Sequence, residues 1–135
     1  MSDTKQNLKY EVRKFCNKYL LRLNTDLGQH FLIDEDVLQK IVDAAQIGPN
    51  EHIVEIGPGI GILTKELLAK ARKVTAIELD DRLIPMLEVY TGEQEHLQVI
   101  QGNALNFPMP EEPYKIVANI PYHITSPLLR HAFLE

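Results

Sequence analysis

Ile53-Val54-Glu55-Ile56-Gly57-Pro58-Gly59-Ile60-Gly61 decides how this 135-residue chain folds. Its apolar half reads as a buried strand, its glycines as a tight exit, and the apolar positions that follow as the opening of a helix. A strand that passes through glycine into a helix offers bare backbone at the carboxyl edge of an open α/β sheet, where such sheets bind ligands. Two phosphate-binding patterns fail here. The G-x-G-x-x-G fingerprint breaks because Ile62 stands where its last glycine belongs, and no Gly-Lys-Ser/Thr follows as a Walker loop would require.

Outward from this run, the β-rich stretches His52 to Ile56, Lys73 to Glu78, Leu97 to Gln101 and Lys115 to Asn119 alternate with helical ones. Those helices are expected near Ile60 to Ala71, Asp80 to Tyr90 and from Ser126 onward, with Pro85 shifting or kinking the second. Such alternation predicts an α/β fold with a parallel sheet and flanking helices, and the order 3-2-1-4 would place the fourth strand beside the first. The chain stops at Glu135 inside an apolar helical stretch, so the sheet is expected to be truncated after its fourth strand. Upstream, Leu8, Val12, Phe15, Cys16, Tyr19, Leu20 and Leu23 form one stripe of an amphipathic helix. A second helix is expected from an Asp34 cap, with Val37, Leu38, Ile41, Val42 and Ala45 inward and Gly48-Pro49-Asn50 ending it. The chain thus divides into a basic helical arm, 1–26, and a partial ligand-binding domain, 27–135.

Composition is ordinarily globular, with 44% hydrophobic and 24% charged residues. No apolar run is long enough to span a bilayer, and Met1 to Asn7 is polar, so a cytoplasmic location is expected without membrane attachment. Cys16 is the single cysteine and the five histidines are scattered, so no metal site is expected. Net charge is −5, but residues 1–30 carry six Lys/Arg against three Asp/Glu (net +3) and residues 31–135 eight against sixteen (net −8). The basic segment is either a nucleic-acid contact or a solvated helix face.

Glu55, Gly57, Gly59 and Gly61 resemble the acidic-x-Gly-x-Gly-x-Gly loop of S-adenosylmethionine-dependent methyltransferases, which hold a neutral nucleoside and an amino-acid tail. Glu55 would lie on the tail side. Glu78, at the end of the second strand, can accept hydrogen bonds from two ribose hydroxyls, or it is a capping or surface carboxylate. Gly102-Asn103 after the third strand would read an adenine amino group, or is a plain turn. Asn119-Ile120-Pro121-Tyr122 follows the fourth strand. The Asn119 side-chain oxygen and the Ile120 carbonyl, stiffened by Pro121, could accept both N–H bonds of an adenine amine and favour a more reactive nitrogen, while Tyr122 stacks on the base.

With these motifs in order, the chain resembles the N-terminal part of the ribosomal RNA adenine N6,N6-dimethyltransferases, a family that also includes the erythromycin-resistance methylases. The matching stretch runs from Leu27-Gly28-Gln29-His30-Phe31-Leu32 through Ile77-Glu78-Leu79-Asp80 and Gly102-Asn103-Ala104 to Asn119 to Pro127. The resemblance implies a Rossmann-like fold, S-adenosyl-L-methionine as cofactor, and adenine N6 in ribosomal RNA of the small subunit as acceptor. It further implies that Gln29, His30 and Leu32 border the cofactor's methionine end, Gly57 its backbone contact, Glu78 its ribose and Asn103 its adenine. Asn119 would stand where cofactor meets acceptor amine, and Tyr122 on the target base. His30 and Asn103 depart from the commoner Asn and Asp of that family. Competing readings are a methyltransferase of large-subunit RNA or DNA, and a non-catalytic RNA-binding or ribosome-assembly protein.

Overall fold

The structure, a computed structural model, describes residues 4–21 and 34–118. Four helices and four strands follow in the order α1 (Thr4–Lys18), α2 (Glu35–Ala45), β1 (His52–Ile56), α3 (Ile62–Leu68), β2 (Lys73–Glu78), α4 (Ile84–Thr91), β3 (Leu97–Gln101) and β4 (Lys115–Ala118). Short 3₁₀ turns at Asp81–Leu83 and Ala104–Asn106 follow β2 and β3.

All pairings are parallel and the sheet order is β3-β2-β1-β4, as the alternation predicts. Ile56 at the end of β1 is in register with Ile77 of β2 and with Ala118 of β4. The central strands are buried on both faces, although β1 (HIVEI) and β2 (KVTAIE) carry polar residues: His52, Glu55, Thr75 and Glu78 are buried with the apolar ones. Successive side chains alternate between two cores. Ile53, Val74 and Val117 pack under the helices with Leu8, Val12, Leu38, Val42, Leu63 and Leu67. Val54, Ile56 and Ile77 meet Ala104, Leu105, Phe107 and Tyr114 on the other face.

α2 begins where the sequence places it. Asp34 accepts from the N–H groups of Asp36 (2.9 Å) and Val37 (3.3 Å), so two otherwise unpaired donors are satisfied. Leu38 and Val42 are buried and Ile41 and Ala45 pack beside them, but Val37 is 42% exposed, because the inward stripe is narrower than the apolar pattern suggests. The helix ends at Ala45 with Gln46 left-handed at φ 48°, ahead of the expected Gly48-Pro49 stop.

α1 also ends earlier than its apolar stripe. Leu20 takes φ 55° and Leu21 N–H donates to Cys16 O at 2.9 Å, a left-handed closure of the Schellman type that turns Leu20 to solvent at 88% exposure. Leu20 therefore does not belong to the buried stripe, and Leu23 lies outside the described residues. α3 and α4 are shorter than expected. Pro85 stands in the first turn of α4, where its missing N–H costs nothing, and the preceding residues form the 3₁₀ turn. Asn119, expected as the last residue of the fourth strand, and the helix expected from Ser126 both lie outside the described residues.

The amino edge of the sheet is tied by charged groups. Lys115 Nζ donates to the carbonyls of Ala45 (3.0 Å) and Gln46 (2.7 Å) at the end of α2 and to Glu51 Oε1 (3.0 Å). Glu112 joins Arg72 at 2.9 Å and stands 2.9 Å from His52 Nδ1, a contact bent away from good hydrogen-bond alignment. The other ring nitrogen of the buried His52 meets Thr75 Oγ1 at 2.8 Å, and burial holds this imidazole below its usual pKa despite the facing Glu112.

Candidate cofactor site at the carboxyl edge

Beyond Ile56 the backbone turns on glycines. Gly57 N–H donates to Ile77 O at 3.0 Å and Gly61 N–H to Pro58 O at 3.0 Å, so the loop is hydrogen-bonded at both ends. Gly57 (φ 70°) and Gly59 (φ 62°) occupy left-handed backbone that residues with a Cβ adopt at a cost. Gly61 (φ 105°) has a second constraint. A Cβ there would lie 2.5 Å from Leu87 Cδ1 and 2.7 Å from Thr91 Cγ2, so this glycine seats α3 against α4.

Buried carboxylates surround the loop. Glu78, 5% exposed, accepts from Gly59 N–H at 2.9 Å through Oε1 and from Asp80 N–H at 2.8 Å through Oε2. The Leu79 N–H adds a further bond to this carboxylate, which can accept about four in all. Burial pushes its pKa up, the N–H bonds from Asp80 and Gly59 oppose that, and the charge of Asp80 adds to it. Glu55 is buried beneath the loop, where Thr64 Oγ1 donates to its Oε1 at 2.5 Å. Burial raises Glu55 to about 8, so this group is mostly protonated at neutral pH. Asp80, also 5% exposed, is gripped by the Arg82 guanidinium at 2.6 to 3.1 Å.

The third strand reaches the same edge. Gly102 N–H donates to Glu78 O at 2.8 Å, which fastens the loop after β3 to the end of β2. Asn103 caps the following 3₁₀ turn through Oδ1, which accepts from Leu105 N–H at 2.9 Å. The turn role weighed for this residue is thus realised, and its amide nitrogen and second oxygen lone pair stay available.

Of the residues singled out in the sequence, Glu55, Gly57, Gly59, Gly61, Glu78 and Asn103 converge on this edge. Gln29, His30, Leu32, Asn119, Ile120, Pro121 and Tyr122 lie outside the described residues. Sequence reasoning missed Thr64, the partner of Glu55. Its signal was a lone hydroxyl three residues beyond Gly61, fully buried in the otherwise apolar first turn of α3.

A family profile described as ribosomal RNA adenine dimethylase matches residues 20–135. A ribosomal RNA small subunit methyltransferase A of Clostridium botulinum (strain Langeland / NCTC 10281 / Type F) is 42% identical over 129 residues, covering 92% of this chain and 47% of the relative. One from Dehalococcoides mccartyi is 42% identical over 135 residues, covering 96% and 46%. Among solved structures, the 23S rRNA methyltransferase ErmE is 35% identical at a TM-score of 0.71, covering 76% of this chain and 42% of that one. A dimethyladenosine transferase from Plasmodium falciparum is 37% identical at a TM-score of 0.69, covering 78% and 39%. The chain spans about half the length of the curated relatives it matches, and its sheet and flanking helices are those of the Rossmann-like methyltransferases.

Proposed function

The chain belongs to the ribosomal RNA adenine dimethylase family, and from that premise we propose that it binds S-adenosyl-L-methionine and serves methylation of adenine N6 in ribosomal RNA. The observation that carries this reading is the glycine loop seated on a buried carboxyl group: Glu78 accepts from Gly59 N–H, while Glu55 beneath the loop is held neutral by burial and Asp80 is paired with Arg82. A carboxyl group in that position opposes a pyrophosphate and suits a ligand that brings hydroxyl donors.

The residues present fit that cofactor. Gly57 and Gly59 leave the backbone open, the carboxylate of Glu78 suits a ribose hydroxyl, and the Asn103 side-chain amide, for which no partner is shown among the described residues, suits an adenine edge. The cofactor supplies a methyl group on positively charged sulfur. Asn119 and Ile120 are assigned to hold the acceptor amine, Pro121 to stiffen them and Tyr122 to stack on the base. β4 leads to this tetrapeptide from Ala118, level with the end of β1. The names of the curated relatives favour the small ribosomal subunit as partner, and the likeness to a 23S rRNA methyltransferase supports large-subunit RNA as the second reading. A ribosomal RNA substrate supports a cytoplasmic location.

Calorimetric titration with S-adenosylmethionine, and in parallel with NADH, tests the cofactor assignment. Binding of the first alone is expected; preference for the dinucleotide would refute it. For the acceptor, methyl transfer to unmodified small-subunit RNA is expected to vanish in Asn119→Ala while RNA binding persists. Joint loss of transfer and RNA binding would favour a structural role for that segment.

A further inference from the structure

α1 packs through Leu8, Val12, Phe15 and Cys16, so its apolar stripe is covered by the body. On the opposite arc Tyr10 is 66% exposed, and Lys9, Arg13, Lys14 and Lys18 are exposed around it. At about 100° per residue Arg13 and Lys14 flank Tyr10 on either side, with Lys9 and Lys18 beyond them and the exposed Glu11 bordering the stripe beside Lys18. None of the four bases forms an ion pair among the described residues. Lys14 Nζ sits 6.0 Å from the Tyr10 ring centroid. The helix starts near the glycine edge, since Leu8 lines a crevice with Glu35 and Ile62, the first residues of α2 and α3.

We propose that the outer face of α1, Lys9, Arg13, Lys14 and Lys18 around Tyr10, is a docking surface for the RNA that carries the acceptor adenine. The proposal rests on the reading of the chain as an RNA methyltransferase. Four cations without an ion pair among the described residues, on a chain whose other residues are net acidic, form an electropositive stripe, and a phosphate backbone is the polyanion that a row of such charges recognises. An exposed tyrosine amid those charges supplies the flat face on which an unpaired base stacks. An anionic membrane fits poorly, because the helix has no free apolar face to insert.

The test is binding of the full chain to an RNA stem-loop with an unpaired adenine, measured across salt concentrations. Neutralising the face in K9Q/R13Q/K14Q/K18Q is expected to lower the slope of log Kd on log salt by about 3 and to weaken binding at least about tenfold. Tyr10→Ala is expected to weaken binding about fivefold or more with the slope unchanged. The charge-keeping K9R/K14R/K18R should bind as the parent does, and K40Q/K70Q, which removes exposed cations elsewhere, should leave the slope intact. An unchanged slope in the quadruple variant, an equal drop in K40Q/K70Q, or no binding by the parent chain would overturn the proposal. S-adenosylmethionine titrations of the same proteins keep the two readings apart. Absent cofactor binding in the parent chain refutes the function above, whereas intact cofactor binding with unaltered RNA affinity in the quadruple variant refutes only this surface.

Discussion

Gly59 N–H donates to Glu78 Oε1 at 2.9 Å, so the glycine loop after β1 is held by the carboxylate that ends β2. One side chain thereby shapes the loop and keeps a lone pair for a ligand. Glu78→Gln retains the size and one acceptor oxygen but loses the charge. Cofactor affinity by calorimetry should fall at least about tenfold, since hydrogen bonds to an ionised acceptor are the stronger kind. Affinity equal to the parent's would remove Glu78 from the site.

Gly61 tests packing apart from binding. Gly61→Ala places a methyl against Leu87 and Thr91 and forces a Cβ into φ 105°, and should cost about 2–4 kcal/mol in denaturant unfolding. Adding Leu87→Ala relieves the nearer clash but leaves the backbone strain and a cavity, so recovery should be incomplete. A denaturation midpoint unmoved by Gly61→Ala would contradict the fit described here.

Glu55 gives the protein a pH signature. Its folded pKa of about 8 lies above the ordinary 4.5, so between those values the folded chain holds a proton that the unfolded chain releases. Stability from this group is therefore greatest below pH 4.5 and declines as pH rises through 8. Glu55→Gln, a neutral mimic, should lose that decline. Unfolding curves from pH 5 to 8.5 would decide, and parallel profiles for the two proteins would show that Glu55 ionises normally.

Asn103 already caps its own turn through Oδ1. Aspartate would keep that cap, add charge to it and strengthen any bond to an adenine amino group, so Asn103→Asp should bind S-adenosylmethionine roughly tenfold more tightly. Equal affinity in the two proteins would separate this residue from adenine recognition.

Much of this was legible in the chain because the informative signals are local. Strand identity followed from apolar runs that the sheet buries on both faces, and the Asp34 cap from its position ahead of a helical period. Where reading failed, a distant or conformational choice decided. Leu20 continues the apolar period of α1, but it adopts the left-handed closing position and turns outward. Val37 falls on the edge of a stripe whose width is set by what α2 packs against. Neither the bond of Thr64 to Glu55 nor that of His52 to Thr75 could be read from the chain, because the first depends on how α3 docks over β1 and the second on the register of β1 with β2.

Lys115 couples parts of the fold that sequence keeps far apart. By capping the last carbonyls of α2 from the first residue of β4, it fastens helix to strand at the edge remote from the glycine loop. A small loosening at Lys115 would therefore free α2 and the start of β4 from one another before the rest of the sheet came apart.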